Sequence, residues 1–117
     1  MSFKFREETD GNVVVINAPN RVDVNVSDEL RELLTSQIEK NKYQFIVDLS
    51  KTKYMDSSGL GSIVSRIAVT RSNNGDIRIA GASENVNNLL NLTHLNKILK
   101  IFPDVKSALE SYKKTTG

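Results

Sequence analysis

Asp56-Ser57-Ser58-Gly59-Leu60-Gly61 is the stretch of this chain best equipped for chemistry. It follows a loop that leaves an apolar strand, and it opens an amphipathic helix. In an open α/β sheet that edge, outside the carboxyl ends of the strands, is where ligands gather. Ser57 falls near the helix N-cap, with Gly59 and Gly61 in the first turn. Each glycine costs a helix about 1 kcal/mol relative to Ala, and each lets the backbone, or a partner, come close. Two readings of Ser57 stand at this level. Either it caps the helix, as serine commonly does. Or it presents an exposed hydroxyl where free N–H groups and the helix dipole favour negative charge. A phosphoryl group added there would gain local stabilisation and bring about −1.5 to −2 charge.

Other chemistries find no residues to carry them. The chain lacks cysteine, which removes disulfides, thiolate metal sites and cysteine nucleophiles. Its single histidine, His94, lies between Thr93 and Leu95 on a helical stretch without an Asp partner nearby; it reads as a structural or surface residue. A dinucleotide fingerprint starting at Gly59 would need glycine where Val64 stands. There is no Gly-Lys-Ser/Thr, and Ser57 lacks the Gly-x-Ser-x-Gly elbow. Neither catalysis nor a cofactor is expected.

The elements that must position the serine follow from periodicity. Residues 3–8 alternate Phe3 and Phe5 against Lys4 and Arg6, an edge strand ending at the turn Asp10-Gly11-Asn12. Residues 13–18 form a β-branched run, the mark of a strand buried on both faces. Residues 21–26 connect, and Asn25 or Ser27 would cap a helix over about 28–40, with Leu30, Leu33, Leu34, Gln37 and Ile38 on its inner face. Asp28 and Glu29 would occupy its first turn and Lys40 its last, as the dipole favours. A strand over 44–49 leads through the loop 50–56 into a helix over 57–71, with the stripe Leu60, Ile63, Val64, Ile67, Ala68. Asn73-Asn74-Gly75 ends it. Then come a strand over 76–80, a helix over 84–95, a strand over 98–102, and a last helix with Pro103 in its first turn and Val105, Ala108, Leu109 and Tyr112 on its face. Residues 113–117 should fray.

Strands separated by helices imply parallel pairs with right-handed crossovers. The fold class is therefore α/β: a mixed, mostly parallel sheet with an antiparallel N-terminal strand and about four helices packed against it. A chain of 117 residues is one domain, 1–117, and buries enough surface to need no metal or disulfide. Net charge is +2, with no basic block and 6% aromatics, so nucleic-acid binding has little support. Residues 1–50 carry −3 and residues 51–117 carry +5, a dipole able to steer a partner. The apolar runs are too short to cross a bilayer and the N-terminus reads as no signal region, so a cytoplasmic location without membrane insertion is expected.

Phe45-Ile46-Val47-Asp48-Leu49-Ser50, five further residues, then Asp56-Ser57-Ser58-Gly59-Leu60-Gly61 resembles the STAS domain, in particular the stand-alone bacterial anti-sigma factor antagonists. The resemblance extends through the helix with Leu30, Leu33 and Leu34, the strand 76–80 and the segment 90–98. It implies a partner switch. An anti-sigma factor, itself a serine kinase of the histidine-kinase-like ATPase type, holds a sigma factor. The unphosphorylated antagonist binds the anti-sigma factor and frees the sigma factor; phosphorylation ends the interaction, and a metal-dependent serine phosphatase restores it. The acceptor implied is the serine directly after Asp56, Ser57, with Ser58 second. The family also places an acidic residue near the acceptor in the loop after the second strand, and Asp23 stands there; it would orient Ser57 or contact the kinase, or serve as a pre-helix Asp. Asp56, Gly59, Gly61, Ser62, Ser65 and Arg66 complete the expected docking surface. In one respect the chain departs from the family: where glycine usually precedes the Leu/Ile/Val-Asp step, it has Ala18-Pro19-Asn20-Arg21-Val22-Asp23, which implies a differently shaped loop. A STAS subunit of a lipid-transport ATPase or sensory scaffold is the alternative, and a small-molecule or nucleotide binder the third reading.

Overall fold

The computed structural model describes residues 2–115. A hairpin starts the sheet: β1 (Lys4–Glu8) runs antiparallel to β2 (Val13–Asn17), with Lys4 opposite Asn17 and Glu8 opposite Val13. The remaining pairs are parallel. β2 lies beside β4 (Gln44–Asp48), β4 beside β6 (Asp76–Ala80), and β6 beside β7 (Ile101–Phe102). The order β1-β2-β4-β6-β7 matches the expected mixed sheet. The edge strand is less apolar than its alternation suggests: Phe3 is buried, whereas Phe5 is exposed.

The three central strands are buried on both faces, and successive side chains feed two cores. Val14, Ile16, Phe45, Val47, Ile77 and Ile79 meet α1 (Val24–Glu39), α2 (Ser57–Val64), α3 (Ile67–Ser72) and α4 (Glu84–Leu92). Val13, Val15, Ile46 and Ala80 meet α5 (Val105–Thr115), through Ala108 and Tyr112 with Val105 and Leu109 beside them. All four residues expected on the last helix's face are therefore on it.

Several boundaries moved, each for a local reason. α1 begins four residues earlier than expected, because Asp23 is its N-cap: the Asp23 carboxylate accepts from Asn25 N–H at 3.0 Å. Neither Asn25 nor Ser27 caps it, and Asp28 and Glu29 fall after the first turn. The helix expected over 57–71 is broken at Ser65 and Arg66. The Ser65 hydroxyl donates to Ser62 O at 2.7 Å, and Arg66 Nε donates to Thr35 Oγ1 on α1 at 2.8 Å. Side chains that compete for helical carbonyls and tie down a neighbour bend a helix, and here the bend keeps Ile67 in the core. α4 stops at the exposed Leu92, short of the expected 95, and His94 lies beyond it in the left-handed region at φ 60°. Residues 95–97 form a 3-10 turn, so the last strand shrinks to Ile101–Phe102. Pro103 stands before the last helix rather than in its first turn, and Asp104 receives Ser107 N–H at 2.8 Å. That helix runs on through Thr115, where fraying was expected from 113; the final two residues of the chain lie outside the described residues.

Candidate functional site

Two short strands, outside the main sheet, build the site. β3 (Arg21–Val22) pairs in parallel with β5 (Tyr54–Met55), with Val22 opposite Met55. Both lie in segments expected to be loop. Each strand runs straight into a helix, so the residues after the Val22/Met55 pair, Asp23 and Asp56, open α1 and α2 side by side. Asp56 N–H donates to Val22 O at 3.2 Å across this junction.

Asp56, not Ser57, is the N-cap of α2. One Asp56 carboxylate oxygen accepts from both the Ser58 N–H and the Ser58 hydroxyl. Ser58 is half-buried and its hydroxyl is committed. Ser57 is the first helical residue, is exposed, and makes no side-chain hydrogen bond among the described residues. Two adjacent serines that look alike in sequence thus differ in kind.

Gly59 is needed for a close approach. A Cβ there would lie 2.7 Å from Val22 Cγ1 and 3.3 Å from Met55 Cγ, so α2 could not seat on β3. Gly61 is exposed, and a Cβ there would meet nothing within 4 Å. The two positions should therefore respond in opposite directions. Gly59→Ala should lose about 1–3 kcal/mol through overpacking. Gly61→Ala should gain up to about 1 kcal/mol through helix propensity. Urea unfolding of the two variants checks both signs.

The other expected docking residues divide. Ser62 is fully buried, and its hydroxyl donates to Ser27 O on α1 at 2.7 Å. It stitches the two helices together and belongs to no exposed surface, because the turn that exposes Ser57 points residue 62 at α1. Ser65 is exposed and Arg66 half-buried, but both sit at the broken end of α2, about 12 Å along its axis from Ser57. Asp23 does not orient Ser57. Its carboxylate is taken by Asn25 N–H and by Arg21 Nε at 2.8 Å. The Arg21 hydrogen bond is the chief reason its carboxyl titrates below the usual carboxylate range; desolvation opposes it and the Asn25 N–H adds to the lowering.

Arg21, Val24 and Tyr54, at the same two helix starts, are not among the expected docking residues. Arg21 lies over the Tyr54 ring at 4.1 Å from its centroid, and Val24 and Tyr54 are exposed apolar surface beside the two caps. Nothing local signals the Arg21–Tyr54 contact, since the two meet only through the β3–β5 pairing.

The comparisons with known proteins agree with this geometry. The STAS domain profile matches residues 4–108. An anti-sigma F factor antagonist of Paenibacillus polymyxa is 27% identical over 110 residues, covering 93% of this chain and 94% of the relative. An anti-sigma-B factor antagonist of Staphylococcus aureus is 26% identical over 101 residues, covering 86% and 94%. Among solved structures, a candidate anti-sigma factor antagonist of Thermotoga maritima superposes with a TM-score of 0.85 at 25% identity, covering 95% of this chain and 94% of that one. With a profile spanning the sheet, both caps and the first turn of the last helix, this chain belongs to the STAS domain family.

Proposed function

We propose that this protein is an anti-sigma factor antagonist whose interaction with a serine-kinase anti-sigma factor is switched off by phosphorylation of Ser57. The observation that carries the reading is the exposed, unbonded Ser57 hydroxyl, held at the first position of α2 by a cap that Asp56 and Ser58 complete without it. The relatives named anti-sigma factor antagonists support it. So does the shared fold of SpoIIAA, an anti-sigma factor antagonist solved in unphosphorylated and phosphorylated forms, at 18% identity to this chain.

The chain supplies only the acceptor. Ser57 Oγ attacks the γ-phosphorus of ATP on the kinase; the bond to the ADP oxygen breaks, and the hydroxyl proton leaves to a kinase base or to water. A phosphatase of the metal-dependent type reverses this with water, returning serine and inorganic phosphate. The docking surface comprises Ser57, Gly61, Val24, Tyr54 and Arg21, with Ser65 and Arg66 at its far margin. In this reading the protein is a binding module working in the cytoplasm.

A pull-down from native lysate with wild type, Ser57→Ala and Ser57→Asp as baits tests it. A histidine-kinase-like ATPase should be recovered by the first two and lost with the third. Recovery of the same transporter or scaffold subunits by all three would overturn the switch and leave a STAS subunit of a fixed complex.

A further inference from the structure

We infer that Arg21 is the internal counter-ion of a phosphate on Ser57, leaving Asp23 to pair with the modified serine. The inference rests on the reading of Ser57 as the acceptor and concerns what the modified chain does with its new charge.

The two helix starts beside Ser57 each carry a capping carboxylate. Asp56 caps its own helix, Asp23 caps the adjacent one, and Asp28 stands one turn further along α1, already paired with Arg31 at 2.7 Å. Against these stand Arg21 on β3 and Lys53 just before β5. A phosphate on Ser57 would be added next to the Asp56 cap, with the Asp23 cap at the adjacent helix start, and like charges there oppose ionisation. Unless a cation answers it, the modification strains the junction that presents it.

Arg21 is placed to answer. It stands opposite Tyr54, three residues before Ser57, and its guanidinium reaches forward to Asp23, which is level with Asp56 across the strand pair. Among the described residues it is committed there through Nε alone, so both terminal nitrogens keep their donors. Stacking on Tyr54 fixes the plane of the guanidinium independently of Asp23. Asp23 can release it without failing as a cap, because its other oxygen holds Asn25 N–H. A phosphate dianion offers a stronger, bidentate partner than a single carboxylate oxygen. Exchange is therefore favoured, and it needs only a side-chain swing on a stacked ring. The phosphate would then have a cation of the chain's own against it and the junction would keep its shape, so that the loss of partner binding comes from the added charge on the surface rather than from an opened fold.

The test installs phosphoserine at position 57 during translation, which makes it independent of any kinase. The phosphate is titrated by 31P NMR at low salt in wild type, Arg21→Gln and Lys53→Gln. Arg21→Gln should raise the second phosphate pKa by about half a unit, an effect that shrinks in about 0.5 M salt, while Lys53→Gln should move it less than half as far. Circular dichroism of unmodified Arg21→Gln should be unchanged, since Arg21 is exposed. Equal pKa values in wild type and Arg21→Gln would overturn the pairing while leaving the acceptor reading intact. Failure of the pull-down would overturn the acceptor reading whatever the titration gives.

Discussion

Incubated with ATP and the kinase, this chain should take phosphate on Ser57 and leave Ser58 bare. Peptide mapping by mass spectrometry should find incorporation within a few-fold of wild type in Ser58→Ala and lowered at least about 100-fold in Ser57→Ala. The argument is geometric. Phosphoryl transfer needs a hydroxyl oxygen that can be brought to about 3–3.5 Å of phosphorus in line with the leaving group. Ser57 Oγ is exposed and unbonded, so a kinase can orient it freely. Ser58 Oγ is half-buried and gives its proton to the Asp56 carboxylate that also holds the Ser58 N–H. Freeing it would break a charge-assisted hydrogen bond, worth roughly 1.5–3 kcal/mol, and would disturb the cap. The binding consequence is larger still. A partner surface fitted to a neutral hydroxyl has no donors matched to a dianion, and burying it unmatched costs several kcal/mol. At 1.4 kcal/mol per tenfold, affinity should drop by more than about 100-fold, readable by calorimetry. Phosphate found mainly on Ser58 would contradict the assignment of the cap.

Legibility in the sequence tracked how local each signal is. The β-branched run at Val13-Val14-Val15-Ile16 and the α1 face of Leu30, Leu33 and Leu34 carry their own periodicity, and the structure buries all of these residues. The helix starts were harder, because a cap is one side chain against a pattern. Val22, Val24 and Val26 alternate like a strand, yet Asp23 opens a helix through them and leaves Val24 exposed. At the site, the serine and both glycines stood out by type and spacing. What separates Ser57 from Ser58 did not, since it depends on where one Asp56 oxygen points. Ser62 was placed outward because 62 lies between core positions 60 and 63; the α1 helix packed over it decides otherwise. Arg78 is the same lesson in the sheet. It sits between the core residues Ile77 and Ile79 and is itself buried, answered by Asp76 at 3.1 Å and Ser111 at 2.7 Å.

That buried charge depends on Tyr112, and removing the tyrosine ring should cost more stability than any other change considered. Its hydroxyl enters where β4 and β6 begin. It accepts from Phe45 N–H at 3.1 Å and shares its one proton between Phe45 O and Asp76 O, each at 2.7 Å. The Arg78 guanidinium lies over its ring at 4.0 Å. Tyr112→Phe keeps the packing but removes the hydroxyl that a buried N–H and two carbonyls share, a loss of roughly 1–3 kcal/mol. Tyr112→Ala also opens a cavity under α5 and uncovers Arg78, for roughly 3–5 kcal/mol from truncation alone. Against a total of about 5–15 kcal/mol, the second change approaches unfolding. The hydroxyl leaves a signature in pH as well. Burial, above all, pushes the Tyr112 phenol far above its ordinary 10.0, with Arg78 opposing. The folded chain therefore retains a proton that the unfolded chain releases above about pH 10. The stabilisation is complete below that pH and drains away as pH rises beyond it, by about 1.4 kcal/mol per unit for this one group. Lysines titrate in the same range, so the measurement is the difference between wild type and Tyr112→Phe. Denaturant midpoints followed from pH 8 to 11 should converge as the wild type loses its advantage. Parallel curves across that range would mean that the phenol ionises in the folded chain as it does in the unfolded one, and would contradict the buried hydrogen bonds that join α5 to the two central strands.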